Sequence, residues 1–164
     1  MSAPSLERDP KDPRQVVEEA IAAHRTRPGA LLPIFHAIQD VLGYVPSESL
    51  GTIAQALNVS RADVYGTLTF YHDFRSDPPG RHVVKLCRAE ACQAVGSDRL
   101  ADDAKRRLGV DFGETRADRA LTLEAVYCLG NCALGPSALV DGRLMARVTV
   151  DRLASRLPDV AVRA

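Results

Sequence analysis

The sequence predicts an α+β protein, with a helical bundle over residues 14–76 followed by a small α/β domain over 77–164, after a flexible tail at 1–13. Three observations carry this. Apolar residues recur at helical spacing through the first half, and Asp77-Pro78-Pro79-Gly80 then interrupts the pattern. Beyond the break the order becomes strand, helix, strand, hairpin, helix, which describes a sheet with helices over it.

The opening MSAPSLERDPKDPR is polar, charged and rich in proline, with little apolar surface to order it. From Arg14 a helix is expected, with Val16, Val17, Ala20, Ile21 and His24 on one face and a stop at Pro28-Gly29. Leu31, Leu32, Phe35, Ile38, Val41 and Leu42 form a second stripe; Pro33 falls in its first turn and Gly43 suits its end. A third helix is expected from Ser47 as N-cap through Leu50, Ile53, Ala54 and Leu57, with Asn58 taking the left-handed position. Ser60 and Asp63 form a capping box for a fourth, which leads into VYGTLTFY. Each stripe is too short to be buried alone, so the four pack together.

After the break, residues 82–86 read as a strand that delivers Cys87 at its end. Ser97 is expected to cap a helix carrying Leu100, Ala101, Ala104 and Leu108, stopped by Gly109. Residues 121–127 form a second strand, ending at Cys128. Ala138-Leu139-Val140 and Arg143-Leu144-Met145 flank Asp141-Gly142, a tight hairpin turn. Thr149 caps a last helix through Leu153 and Leu157, closed by Pro158.

A chain of 164 residues fits one domain, or one small domain with an appendage. Its 21 Lys and Arg balance 21 Asp and Glu, which weakens a nucleic-acid or membrane-surface reading, since both rest on accumulated positive charge. Residues 47–57 and 60–71 outline a helix-turn-helix, yet RADVYGTLTFY offers only Arg61 as a basic contact, so a packed bundle helix is the better reading. No apolar run approaches the roughly 20 residues of a membrane span, and the N-terminus carries no hydrophobic signal region. A cytoplasmic protein is expected, in a compartment where structural disulfides are uncommon.

All four cysteines stand in two close pairs, Cys87 and Cys92 in LCRAEAC and Cys128 and Cys132 in CLGNC. Each pair follows an expected strand, so two neighbouring strand ends would present two thiol loops. Four thiolates suit a zinc ion or an iron–sulfur cluster. The commonest zinc loop is C-x-x-C, tighter than either spacing here, and a [2Fe–2S] rhomb needs each pair to clamp only one iron. Ala91, Gly130, Ala133 and Gly135 are small enough to let backbone N–H groups approach the sulfurs. A Rieske centre needs two histidine ligands, and none of the four histidines lies in either loop. The order of readings is cluster, then structural zinc, then disulfides, then inert thiols.

LCRAEAC followed by VYCLGNCALGP resembles the thioredoxin-like [2Fe–2S] ferredoxins, of the 24-kDa subunit type of respiratory complex I. ALLPIFHAIQDVLGYVP and VYGTLTFYHDF resemble that family's N-terminal helical region, so the likeness runs from about residue 14 to about 157. Among its branches, LTFYHDFR, PPGRHVVKLCRAEACQ and YCLGNCALGPSALVDG resemble most the gamma subunit of NAD-dependent, molybdenum-containing formate dehydrogenases; the diaphorase subunit of NAD-linked hydrogenases is the neighbouring branch. The resemblance implies a thioredoxin-like second domain and Cys87, Cys92, Cys128 and Cys132 as iron ligands. It also implies an electron-transfer subunit, non-catalytic alone, that exchanges single electrons with a flavin on an NAD-binding partner. Through that partner it would serve a molybdenum- and iron–sulfur-containing catalytic subunit. The sequence has no G-x-G-x-x-G or phosphate-binding loop, so nucleotide cofactors are expected on partners. His24, His36, His72 and His82 are expected at boundaries or contacts rather than in chemistry. Phe70, Tyr71 and Phe74 are expected either to anchor a partner or to pack between the halves.

Overall fold

The computed structural model describes residues 12–161, and the chain divides into two compact units between Pro78 and Pro79. The fold is α+β. The tail expected at 1–13 lies outside the described residues up to 11, and Pro13 is already helical.

In the first unit, α1 spans Pro13–His24; Asp12 caps it by accepting from the Arg14 N–H at 3.0 Å. Proline suits the first helical position, where no intrahelical N–H partner exists anyway. Helix α2 spans Leu31–Leu42 and ends on Gly43 at φ 85°, a left-handed cap that glycine adopts without penalty. The expected N-cap at Ser47 is replaced by a 3₁₀ turn, Ser47–Ser49, because Pro46 supplies the extended entry and the Ser49 hydroxyl donates back to the Pro46 carbonyl at 2.6 Å. Helix α3 then runs Leu50–Leu57 to a left-handed Asn58, and α4 spans Arg61–Phe70 behind the Ser60/Asp63 capping box. Val17, Ile21, Ile34, Phe35, Ile38, Leu50, Ile53, Val64 and Leu68 form one core. Full burial of such a side chain contributes roughly 1.5–3 kcal/mol, which is what these short helices lack individually.

The segment after α4 is fastened to α2 by one amide. Gln39 donates to the Asp73 carbonyl at 2.6 Å and accepts from the Arg75 N–H at 2.8 Å. Phe74 is thereby held in the core, edge-on to Phe35 with ring centroids 5.2 Å apart.

The second unit holds, among the described residues, a five-stranded sheet in the order β2-β3-β1-β4-β5. Its strands are β1 (His82–Cys87), β2 (Glu114–Thr115), β3 (Leu121–Val126), β4 (Ala138–Val140) and β5 (Arg143–Met145). β1 and β3 are parallel, with Leu86 opposite Ala125 and Cys87 opposite Val126; the other pairings are antiparallel. Val84 and Leu86 face the core, and Lys85 turns away to meet Glu124 at 3.2 Å. The connection from β1 to β3 carries α5 (Glu90–Ala94) and α6 (Ser97–Leu108); α7 (Val150–Ala154) follows the hairpin. Leu100, Ala104 and Leu108 of α6 and Leu153 of α7 close the core with Leu121, Leu123, Ala138 and Val140.

Three expectations shift locally, and two short elements were not expected. Ser97 is the first residue of α6, whose N-cap is Gly96 at φ 96°, and its hydroxyl bonds elsewhere. The second strand stops at Val126, leaving Tyr127 exposed. The last helix ends at Ala154, and single turns carry the chain on to Leu157. α5 and β2 were too short to leave a periodic trace in the sequence. The Asp141-Gly142 turn has φ of 50° and 75°, the doubly left-handed form that a two-residue hairpin needs. Gly80 has no room for a Cβ, which would lie 2.7 Å from the Leu121 backbone; its N–H donates to the buried Thr122 hydroxyl at 2.7 Å.

At the start of β1, opposite the cysteines, His82 is clamped between two carboxylates. Nδ1 meets Asp141 and Nε2 meets Asp159, both at 2.7 Å, with Arg81 also on Asp159 at 3.3 Å. Burial pushes the imidazole down, but the two carboxylates outweigh it and hold His82 above its ordinary value; His82 in turn holds Asp159 below its own. A raised folded pKa gives stability that is full below the unfolded value and lost as pH rises through the folded one. Urea unfolding should therefore show lower stability at about pH 9 than at about pH 6, with that difference reduced in His82→Gln. An undiminished difference in the variant would remove the clamp as its source.

Candidate metal centre

Parallel pairing brings the C-terminal ends of β1 and β3 side by side, and both cysteine loops leave from there. Cys87 is the last residue of β1; its N–H donates to the Ser137 carbonyl at 3.0 Å, and the next N–H, of Arg88, donates to Val126 at 2.7 Å. The chain then turns into α5, which carries Cys92. Cys87 and Cys92 are both buried, at 2 % exposure, whereas Cys128 and Cys132 are exposed. One thiol pair is thus set into the unit and the other faces outward.

The second loop reverses sharply. Cys128 has φ 88° and Gly130 φ 74°; a left-handed cysteine is a strained conformation of the kind that collects at functional sites. A 3₁₀ turn, Cys132–Leu134, closes the loop. The two sulfurs stand 3.7 Å apart, and the Gly130 N–H donates to Cys128 Sγ at 3.4 Å. The loops also address each other. Burial would push the Cys87 thiol up, yet the Ala89 N–H, the Cys92 thiol and the N–H groups of Cys128 and Leu129 together hold it below its ordinary value. Burial and then the Cys87 thiol push Cys92 up, with the Ser137 N–H acting the other way. The Cys128 thiol and its charge raise Cys132. The thiolate is thus favoured at Cys87 and opposed at Cys92 and Cys132, an opposition that a bound cation relieves.

Residues 17–161 match the family of thioredoxin-like [2Fe-2S] ferredoxins. The chain belongs to this family. Its relatives include the NADP-reducing hydrogenase subunit HndA of Solidesulfovibrio fructosivorans, 32 % identical over 83 % of this chain and 79 % of that protein. A subunit of the NADH-quinone oxidoreductase of Pseudomonas aeruginosa is 29 % identical over 88 % of this chain and 87 % of its own length. One from the NADH-quinone oxidoreductase of Rhizobium meliloti is 37 % identical over 75 % and 73 %. Among solved structures, an NAD+-reducing [NiFe]-hydrogenase in the air-oxidized state superposes with a TM-score of 0.67 at 25 % identity, over 83 % of this chain; the chain spans only 23 % of that one. The thioredoxin-like fold and the [2Fe–2S] cofactor follow from the family.

The residues present fit that cofactor. Two thiolates on one tetrahedral metal lie about 3.8 Å apart for metal–sulfur bonds near 2.3 Å, and Cys128 and Cys132 already stand at that separation. Among the described residues no three His, Cys, Asp or Glu side chains gather as a site for a single metal ion. His24, His36 and His72 lie in the first unit and His82 at the far end of β1, outside both loops. Phe70 and Tyr71 are exposed, while Phe74 is packed inside the first unit.

Three residues around the loops carry no functional signal in the sequence. Ser97 donates its hydroxyl to the Cys87 carbonyl, and Asn131 and Ser137 bond to each other. A serine before a helical stripe reads as a cap, and no local signal marks a hydroxyl that serves a strand ten residues away.

Gly135 lies so close to Cys92 that a Cβ would stand 3.4 Å from its sulfur and 2.9 Å from Val95 Cγ2. Alanine can be accommodated by rotation of Val95, whereas Gly135→Val should cost about 1–3 kcal/mol by overpacking. Thermal unfolding and the rate of iron loss to a chelator test this: faster loss in the valine variant than in the alanine one is expected, and equal rates would contradict the contact.

Proposed function

We propose that Cys87, Cys92, Cys128 and Cys132 are the four cluster ligands, and that the chain is the electron-transfer subunit of a multi-subunit NAD-linked oxidoreductase, without catalytic residues of its own. The observation that carries this reading is the convergence of both cysteine loops at the adjacent ends of two parallel strands. When bound, the cluster supplies a centre that accepts and returns one electron. The chain's residues do the rest. Cys87 and Cys92 hold the inner side and exclude water, and Cys128 and Cys132 hold the outer side within reach of a partner. The Gly130 N–H donates to Cys128 Sγ, and such donors stabilise added negative charge and so tune the potential.

The partner is proposed to be a flavin- and NAD-binding subunit. Val95, Tyr127 and Leu134, each adjoining a cysteine loop, are exposed at 53 %, 78 % and 41 %; aromatic and apolar groups of this kind form interface cores. The resemblance of LTFYHDFR and YCLGNCALGPSALVDG to the formate dehydrogenase gamma subunit supports a molybdenum-containing catalytic subunit beyond that partner. The hydrogenase and quinone-reductase subunits among the relatives favour a second reading, the diaphorase subunit of a hydrogenase or of complex I. A cytoplasmic location is part of the proposal; no helix among the described residues is long and apolar enough to cross a membrane.

Serine substituted in turn at the four cysteine positions should weaken the cluster or change its reduced-state paramagnetic resonance in every case. An unchanged resonance in any variant removes that cysteine from the ligand set. Purification of the native complex separates the branches: molybdenum with formate-dependent NAD reduction is expected, and nickel with hydrogen oxidation would assign the hydrogenase branch instead.

A further inference from the structure

We infer that the Asn131–Ser137 side-chain pair is a positioning device that fixes the outer cysteine loop against the inner one, and thereby sets the spectroscopic signature and reduction potential of the bound cluster. The inference rests on the ligand assignment above and deepens it.

Ser137 is a junction for both loops. It is 1 % exposed and precedes β4 directly. Its carbonyl accepts from the Cys87 N–H at 3.0 Å. Its hydroxyl accepts from the Asn131 side-chain amide at 3.0 Å and donates to the Asn131 carbonyl at 3.4 Å. Asn131 lies between Cys128 and Cys132 in sequence. Backbone and side chain of one serine therefore touch the inner pair and the outer loop together.

Asn131 is placed for this task at the expense of a more usual one. It occupies the N-cap position of the Cys132–Leu134 turn but makes no side-chain cap bond, although asparagine is among the residues most favoured to do so. Its amide goes to Ser137 instead. The outer loop is exposed and includes a left-handed cysteine, so its placement depends on such ties more than on packing. Loosening the tie lets the outer loop drift, and with it the Gly130 N–H, next to Asn131, that donates to Cys128 Sγ at 3.4 Å. Sulfur hydrogen bonding and solvent access are levers on a cluster's potential, and a weaker N–H contact to Cys128 disfavours the more negative, reduced form.

The test uses the cluster-loaded chain with Asn131→Ala, Ser137→Ala and the double variant, reading iron and sulfide content, reduced-state resonance and midpoint potential. A lower midpoint is expected, with about a tenfold shift toward the oxidised form at the wild-type midpoint, equivalent to about 59 mV for one electron. The resonance should change too, and the double variant should shift no further than the larger single one, because both remove the same tie. Should buried Ser137→Ala fail to load, the half-buried Asn131→Ala decides alone. Loaded variants with wild-type resonance and midpoint, even if less heat-stable, would overturn the inference. A wild-type chain that takes up neither iron nor sulfide would overturn the ligand assignment itself, a result distinct from the first.

Discussion

Parallel pairing of β1 with β3 is the constraint on which the centre depends. Residues near the end of one strand of a parallel pair lie beside residues near the end of the other, and here Cys87 faces Val126, two residues before Cys128. An antiparallel arrangement would have sent the two loops to opposite ends of the sheet. The cost of parallel pairing is a long crossover, and the chain uses it for two purposes. α6 covers the sheet with Leu100, Ala104 and Leu108, and α5 places Cys92. The same connection that completes the core therefore completes the inner thiol pair.

Burial is divided unevenly across the four thiols, and this division has physical consequences. The inner pair lies in a low-dielectric setting, where charge interactions are strong and water is scarce. The outer pair is open to solvent, or to whatever covers Tyr127 and Leu134. Electron transfer between proteins needs such a compromise: enough enclosure to fix the ligands, and enough exposure to bring the centre near its partner. Arg88 adds a fixed positive charge one residue from Cys87, held by Asp98 at 2.9 Å and lying over the Phe112 ring.

Much of this was legible in the sequence because it is written locally. The capping box at Ser60 and Asp63, the glycine stops at Gly43 and Gly109, and the Asp141-Gly142 turn each depend on neighbouring residues, and each is found where its chemistry requires. The paired cysteines following two strands were legible for the same reason. What escaped depends on distant partners. Ser97 looks like a cap until Cys87 is beside it, and Asn131 and Ser137 look like loop polar residues until the sheet closes. Ser47 was displaced from its expected cap by the preceding proline. β2, only two residues long, exists because β3 offers it an edge.

The central claim is that thiols from two strand-end loops together hold a two-iron, two-sulfide centre that cycles by one electron. Metal and sulfide content of the chain isolated without air, combined with a reductive titration, tests it most directly. About two irons and two acid-labile sulfides per chain are expected, with uptake of one electron and the appearance of a paramagnetic signal. A colourless chain with one zinc, no sulfide and no electron uptake would contradict it.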